Sequence, residues 1–256
     1  MKRLRYGKFL TLTFFSLLLF AGCGRKEKKN LIPESNLPAE EQEEIRDFIS
    51  NNEHMKNAAR YKFAEKTGSE GIPFMIERIM EIYNMGSDWN YPEEYAIASN
   101  LILSLGEMDD ASVLPALKLW LTDKKYRVFR PDAVHALGAL GNPGAMEPLR
   151  NVWDEEKGYL DNGDDQGPWP FSGQHPSGGY VHGVMSEIGI ALFKLGDKKA
   201  IGDLIEIARL SEDRWSSGTT KILQALRKIT GESGLAKTSR VEFWEEWWKR
   251  NKENYR

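Results

Sequence analysis

Leu101-Ile-Leu-Ser-Leu-Gly106 leads into Ala111-Ser-Val-Leu-Pro-Ala-Leu-Lys-Leu-Trp120, and Ala133-Val-His-Ala-Leu-Gly-Ala-Leu-Gly141 leads into Ala145-Met-Glu-Pro-Leu-Arg-Asn-Val-Trp153. One motif is written twice here. Each copy is an apolar helix that closes on Leu-Gly, a brief turn, and a second helix with proline near its start, where a missing N–H costs little. Glycine after the last helical residue fits a left-handed terminus that other residues resist.

Outward from this stretch the same unit recurs. Aligning the turn glycines Gly68, Gly106, Gly141, Gly196 and Gly231 gives steps of 38, 35, 55 and 35 residues. His54 to Lys66 pairs with Ile72 to Tyr83, whose Ile72, Met75, Ile76, Ile79 and Met80 share one helical face. Val184 to Leu195 pairs with Ala200 to Leu210, and Trp215 to Ile229 with Val241 to Asn251. Repeats of this length, each a helix pair, predict an all-α fold, an α-solenoid of about five pairs in which neighbours stack around one continuous core. Residues 40–256 form this unit. Phe243, Trp244, Trp247 and Trp248 place an aromatic stripe on the last helix, within residues 240–251, and Ser239 with Glu242 reads as a capping box at its start. That helix is expected to cap the end of the array.

Residues 136–149 and 192–201 resemble HEAT repeats of the short kind found in bacterial proteins, and the resemblance extends over about residues 54 to 250. It implies a right-handed, armadillo-like superhelix that presents surfaces to partners. Of activity it implies nothing.

The N-terminus carries a different signal. Lys2, Arg3, Arg5 and Lys8 precede the apolar run Phe9 to Phe20, which is short of the roughly 20 residues a membrane span needs. Small residues follow, then Cys23, the only cysteine of the 256 residues. A basic head, a short apolar run and small residues describe a secretory signal over residues 1–22. Leu19-Phe20-Ala21-Gly22-Cys23 resembles a bacterial lipobox, with phenylalanine where leucine is usual. The resemblance implies lipidation of Cys23, export, and attachment to a bacterial membrane. Gly24 in place of a retaining aspartate points to the outer membrane in a diderm cell. Residues 23–39, polar and with Pro33 and Pro38, read as a flexible tether. Loss of the signal leaves 31 basic residues, four fewer than 35, against 38 acidic ones, a net charge of −7. Such a domain does not suit a nucleic-acid backbone, which asks for a basic face.

The 55-residue step holds an insertion of about 20 residues, Asp154 to Gly179. Long structureless loops in compact domains are functional or disordered, and Tyr159, Trp169, Phe171 and Tyr180 argue for order. Three site readings compete. Asp161, Asp164 and Asp165 offer oxygen ligands to calcium, but Gln166 and Ser172 stand where an EF-hand needs Gly and Glu. His175 and His182 offer a metal or acid–base pair, without the spacing of a zinc site. The third is an aromatic binding edge. The inter-repeat loops carry Trp89, Tyr91, Tyr126, Phe129, Trp169, Phe171 and His175, with Trp215 opening a helix, and flat rings bury area at low entropic cost. The same rings could instead fold inward. His135, inside an apolar helix, reads as structural, and His54, near a helix start, carries little information.

No Gly-x-Ser-x-Gly elbow, His-Glu-x-x-His, phosphate loop or dinucleotide fingerprint is present. The expectation is therefore a lipid-anchored scaffold that binds another envelope protein, with no cofactor and no nucleic acid. The alternative is a ligand-binding or enzymatic module, acting on a glycan or through a metal, built on residues 154–179.

Overall fold

The computed structural model describes residues 35–52, 67–84, 92–163, 180–211, 216–233 and 238–255. The expected signal, Cys23, most of the expected tether, the helix expected at 54–66, Trp89, Tyr91, Asp164, Asp165, Trp169, Phe171, His175 and Trp215 lie outside the described residues. Every regular element among the described residues is helical: α1 (Ala39–Asn52), α2 (Ile72–Asn84), α3 (Pro92–Gly106), α4 (Leu114–Thr122), α5 (Arg130–Leu140), α6 (Met146–Asp161), α7 (Tyr180–Lys194), α8 (Ala200–Ser211), α9 (Ser216–Thr230) and α10 (Val241–Asn251), with short 3-10 turns between several of them. None of these helices is long and apolar enough to cross a membrane.

The helices fall into two rows. α3, α5, α7 and α9 pack against one another in that order. Behind them α2 packs on α3, α4 on α5, α6 on α7, and α8 on α7 and α9, with α10 on α8. Each second-row helix thus lies chiefly against the first-row helix that follows it. One continuous apolar core runs from Ile49 to Trp247 between the rows. The sandwiched helices bury more than one stripe. In α2, Phe74 and Ile82 are buried along with Ile72, Met75, Ile76, Ile79 and Met80.

The turns are held by short polar side chains. Asp110 accepts from the Ser112 N–H, Asp123 from Lys125 and Asn142 from Gly144, at 2.8, 2.9 and 2.9 Å. These acceptors satisfy donors that the start of a helical segment leaves open. Gly68, Gly141, Gly196 and Gly231 have positive φ, as the repeat requires, but Gly106 does not. It remains helical, and the left-handed residue of that turn is Asp109, at φ 51°.

The extra length in the 55-residue step is in part helix. α6 runs for 16 residues against nine in α4, so residues 154–161, expected as loop, continue the helix. Arg150 of α6 ties across the step: its Nε reaches Asp197 at 2.7 Å, and its guanidinium also pairs with Asp203 of α8. At the C-terminal end, Trp244 is fully buried and Trp247 nearly so, both edge-on to neighbouring rings. Their indole N–H groups, which burial obliges to find acceptors, donate to the Thr238 carbonyl at 2.9 Å and to Glu232 at 2.8 Å. The N-cap of α10 is Arg240, with no side-chain cap of its own, one residue beyond the Ser239 expected at its start.

Candidate functional site

The extension of α6 brings charge into the core. Leu149, Val152, Trp153, Glu156 and Leu160 form its buried stripe, and a glutamate in that stripe must find partners. Glu156 has none of its side chain exposed. It accepts from Arg127 Nε at 3.2 Å, Arg127 Nη2 at 3.0 Å and Arg130 Nη1 at 2.5 Å. Arg130, also fully buried, donates to the Leu121 carbonyl at 2.9 Å and to Glu155 at 3.0 Å. Two guanidiniums and two carboxylates thus balance in charge, with the fixed fork geometry that suits arginine to such a pair.

Aromatic rings close the cluster. The Arg127 guanidinium lies 3.9 Å from the centre of the Tyr159 ring and 5.4 Å from that of Tyr180, and the Tyr180 hydroxyl donates to the Arg127 carbonyl at 2.5 Å. Burial drives the Arg127 pKa down, but the Glu156 carboxylate outweighs it and holds the guanidinium above its ordinary value. Burial, then the Glu156 charge, raises the Tyr180 hydroxyl. Every group here is satisfied by another. The arrangement fixes the root of the insertion.

In front of this cluster a cleft of about 590 Å³ opens along the first row, bordered by Pro131 of α5, by Tyr180, Gly183, Val184, Glu187 and Ile190 of α7, and by Lys221, Gln224, Ala225 and Lys228 of α9. Its size falls within the range of ligand pockets. Val184, Ile190 and Ala225 give it an apolar floor. Glu187 lies 3.8 Å from His135. The neighbouring His135, opposed by partial burial and assisted by Lys228 and Lys194, holds its carboxyl below the ordinary range. A second groove, about 640 Å³, lies at the C-terminal end between α8 and Trp248 with Tyr255. There Asp197 and Asp203 already serve Arg150.

The residues singled out from sequence divide sharply. Tyr126, expected on a displayed edge, is 4% exposed. It lies in a 3-10 turn over Lys124–Phe129, and burial followed by the Asp123 charge pushes its hydroxyl up to about 12. Phe129 is fully buried and stacks on Tyr95 with ring centres 5.4 Å apart. Both rings fold inward. His182, weighed as a metal or acid–base residue, is buried in α7, its Nε2 2.6 Å from Ser211 Oγ of α8. Asp161 is exposed at the end of α6. Among the described residues no three His, Cys, Asp or Glu side chains cluster as a metal site would require. His135, read as structural, instead leaves 50% of its side chain exposed beside the cleft. The cleft lysines and the Arg127–Glu156 cluster were not anticipated. Glu156 at the i+7 position of the stripe that starts at Leu149 was the one signal available.

What these features define is an all-helical protein with a charge-balanced cluster inside and a recessed cleft outside. No family model, no curated protein and no solved structure matches the chain.

Proposed function

We propose that this chain is a lipid-anchored scaffold of the bacterial envelope. It is a right-handed α-solenoid of the HEAT type, tethered through Cys23, and it uses its first helix row to hold another envelope protein. The cleft carries the reading. Three successive helix pairs contribute to it, which is how a helical array makes a binding surface, and it combines an apolar floor with a charged rim, as protein interfaces do. The serial packing of α3, α5, α7 and α9 supports the array. The lipobox-like stretch supports the anchor, and the absence of any catalytic sequence motif turns the reading toward binding.

Gln224 is exposed on the cleft rim, so Gln224→Trp obstructs the cleft without touching the core. Full-length protein purified from its own membranes should carry a stoichiometric protein partner that the Gln224→Trp protein lacks at unchanged melting temperature. Cys23→Ser should move the protein out of the membrane fraction. A partner retained by Gln224→Trp, or no partner in either preparation, contradicts the proposal.

A further inference from the structure

The groove at the C-terminal end holds polar groups that the fold leaves unused. It measures about 640 Å³ and runs between α8 and the turn that follows α10. Trp248 and Tyr255 border it, their ring centres 6.2 Å apart. Gly202 of α8 lets the indole close in: a Cβ there would lie 3.0 Å from Trp248 Cζ2. Trp244 and Trp247 donate their indole N–H groups to Thr238 and Glu232. The Trp248 N–H has no acceptor among the described residues.

Three lysines line the same groove, Lys198 and Lys199 from the turn before α8 and Lys252 from the turn after α10. All three are exposed, and none has an ion pair or a side-chain hydrogen bond among the described residues. The carboxylates beside them are already held. Asp197 and Asp203 pair with Arg150, and Glu206 accepts from Lys157 at 2.8 Å. Five cations therefore meet three carboxylates, a local excess opposite in sign to the chain's net charge of −3. Asp203 Oδ1 and Glu206 Oε2 stay open as acceptors, because an ionised carboxylate accepts at both oxygens.

These groups make three demands on a ligand. The ammonium groups ask for an anion. The open carboxylate oxygens ask for hydroxyl donors and disfavour a ligand that is nothing but negative charge. The ring faces, negative at their centres, ask for a surface of C–H groups. A bare phosphate meets only the first. A sugar that carries a carboxylate or a phosphate meets all three, and the groove is of the size that holds small ligands. We propose that the groove between α8 and α10 binds an anionic sugar. Trp248 and Tyr255 carry its C–H face, Lys198, Lys199 and Lys252 hold its acid group, and Asp203 and Glu206 accept from its hydroxyls. The site is separate from the first-row cleft and does not depend on what that cleft holds.

The test follows the indole N–H signals of the isotope-labelled full chain in detergent by NMR, the Trp248 signal being the one that Trp248→Phe removes. The probes are glucuronate, glucose-6-phosphate, glucose and inorganic phosphate. Glucuronate or glucose-6-phosphate should shift the Trp248 signal to saturation with an affinity about fivefold above that of glucose, the change expected from exposed charge pairs. The tighter of the two identifies the acid group. Glucose-6-phosphate should exceed inorganic phosphate by a similar factor, and the affinity of both acids should fall with added salt. The Lys198→Gln/Lys252→Gln protein, changed only at exposed positions, should lose the preference for the acids over glucose at unchanged melting temperature. Equal binding of glucose and the acids overturns the proposal, and so does a preference that survives in the lysine variant. Inorganic phosphate bound as tightly as glucose-6-phosphate would make this an adventitious anion site and overturn it too. A Trp248 signal that no probe moves has the same consequence.

Discussion

Gly106 and Gly141 end equivalent helices and are glycines for different reasons. At Gly141 the backbone is left-handed, φ 66°, and a Cβ would meet nothing closer than 3.9 Å. At Gly106 the backbone is helical, but a Cβ would lie 2.4 Å from the Ala136 Cα, so the glycine lets α3 and α5 touch. Gly141→Ala should therefore cost about 1–2 kcal/mol, the penalty of a left-handed side chain. Gly106→Ala must push two helices apart and should cost about 2–3 kcal/mol, of which helix propensity returns at most about 1. Urea unfolding of the two variants compares them. A Gly106→Ala protein as stable as wild type would mean that the two helices are not in close contact. Glu187 gives a second prediction at this scale. Its pKa is lowered chiefly by His135, so the stability it contributes is present above the unfolded carboxylate value and is lost as pH falls through the lower folded one. The difference in melting temperature between wild type and Glu187→Gln should be fully open above about pH 6 and close toward about pH 3. A difference independent of pH would contradict the pairing. The histidines show why single residues were hard to place from sequence. In the Ala133–Leu140 run only a narrow outer stripe is exposed, and His135 falls on it with Ala139 four residues on, while Ala133, Val134, Ala136 and Leu137 fall inside. His182 lay between the insertion and the helix expected from Val184, yet α7 begins at Tyr180 and turns it into the core.

At the scale of the element, α6 carries the most information. The repeat length placed extra residues after Trp153, and that position was legible because the glycine steps set a ruler. Their conformation was not. Asp154 to Gly158 is too polar to announce a helix by its apolar period, and what stabilises it is tertiary: Glu155 and Glu156 are anchored by Arg127 and Arg130 from another turn of the chain. No local rule couples residues about 26–29 positions apart. Glu156→Gln keeps the shape of the side chain and removes its charge, leaving two buried guanidiniums with one carboxylate between them. Unfolding in urea should show a loss of about 3 kcal/mol, in the range found when one partner of a buried ion pair is removed. A loss below about 1 kcal/mol, the scale of an exposed pair, would mean that the cluster is hydrated. α10 gives the opposite case. Its aromatic stripe was legible as a cap because i, i+1, i+4, i+5 spacing survives any context.

For the whole molecule, periodicity pointed to helices, and every regular element among the described residues is helical, although α3 starts nine residues before Leu101, α6 runs eight beyond Trp153, and each second-row helix packs chiefly on the helix that follows it rather than on its expected mate. The aromatic edge was not legible, because a ring in a connecting segment carries no sign of which way it turns. Tyr126 and Phe129 turn inward and build the core. What remains on the surface is the first-row cleft, assembled from helices that are far apart in sequence and close only once the rows form. The account stands on that cleft as the place where a partner sits. A photoreactive phenylalanine placed at Gln224, and separately at exposed Asn151 on the second row, tests it in cells that make the full-length chain. The account predicts a discrete protein adduct from position 224 and none from 151. Adducts of equal yield from both positions, or none from 224, would contradict it.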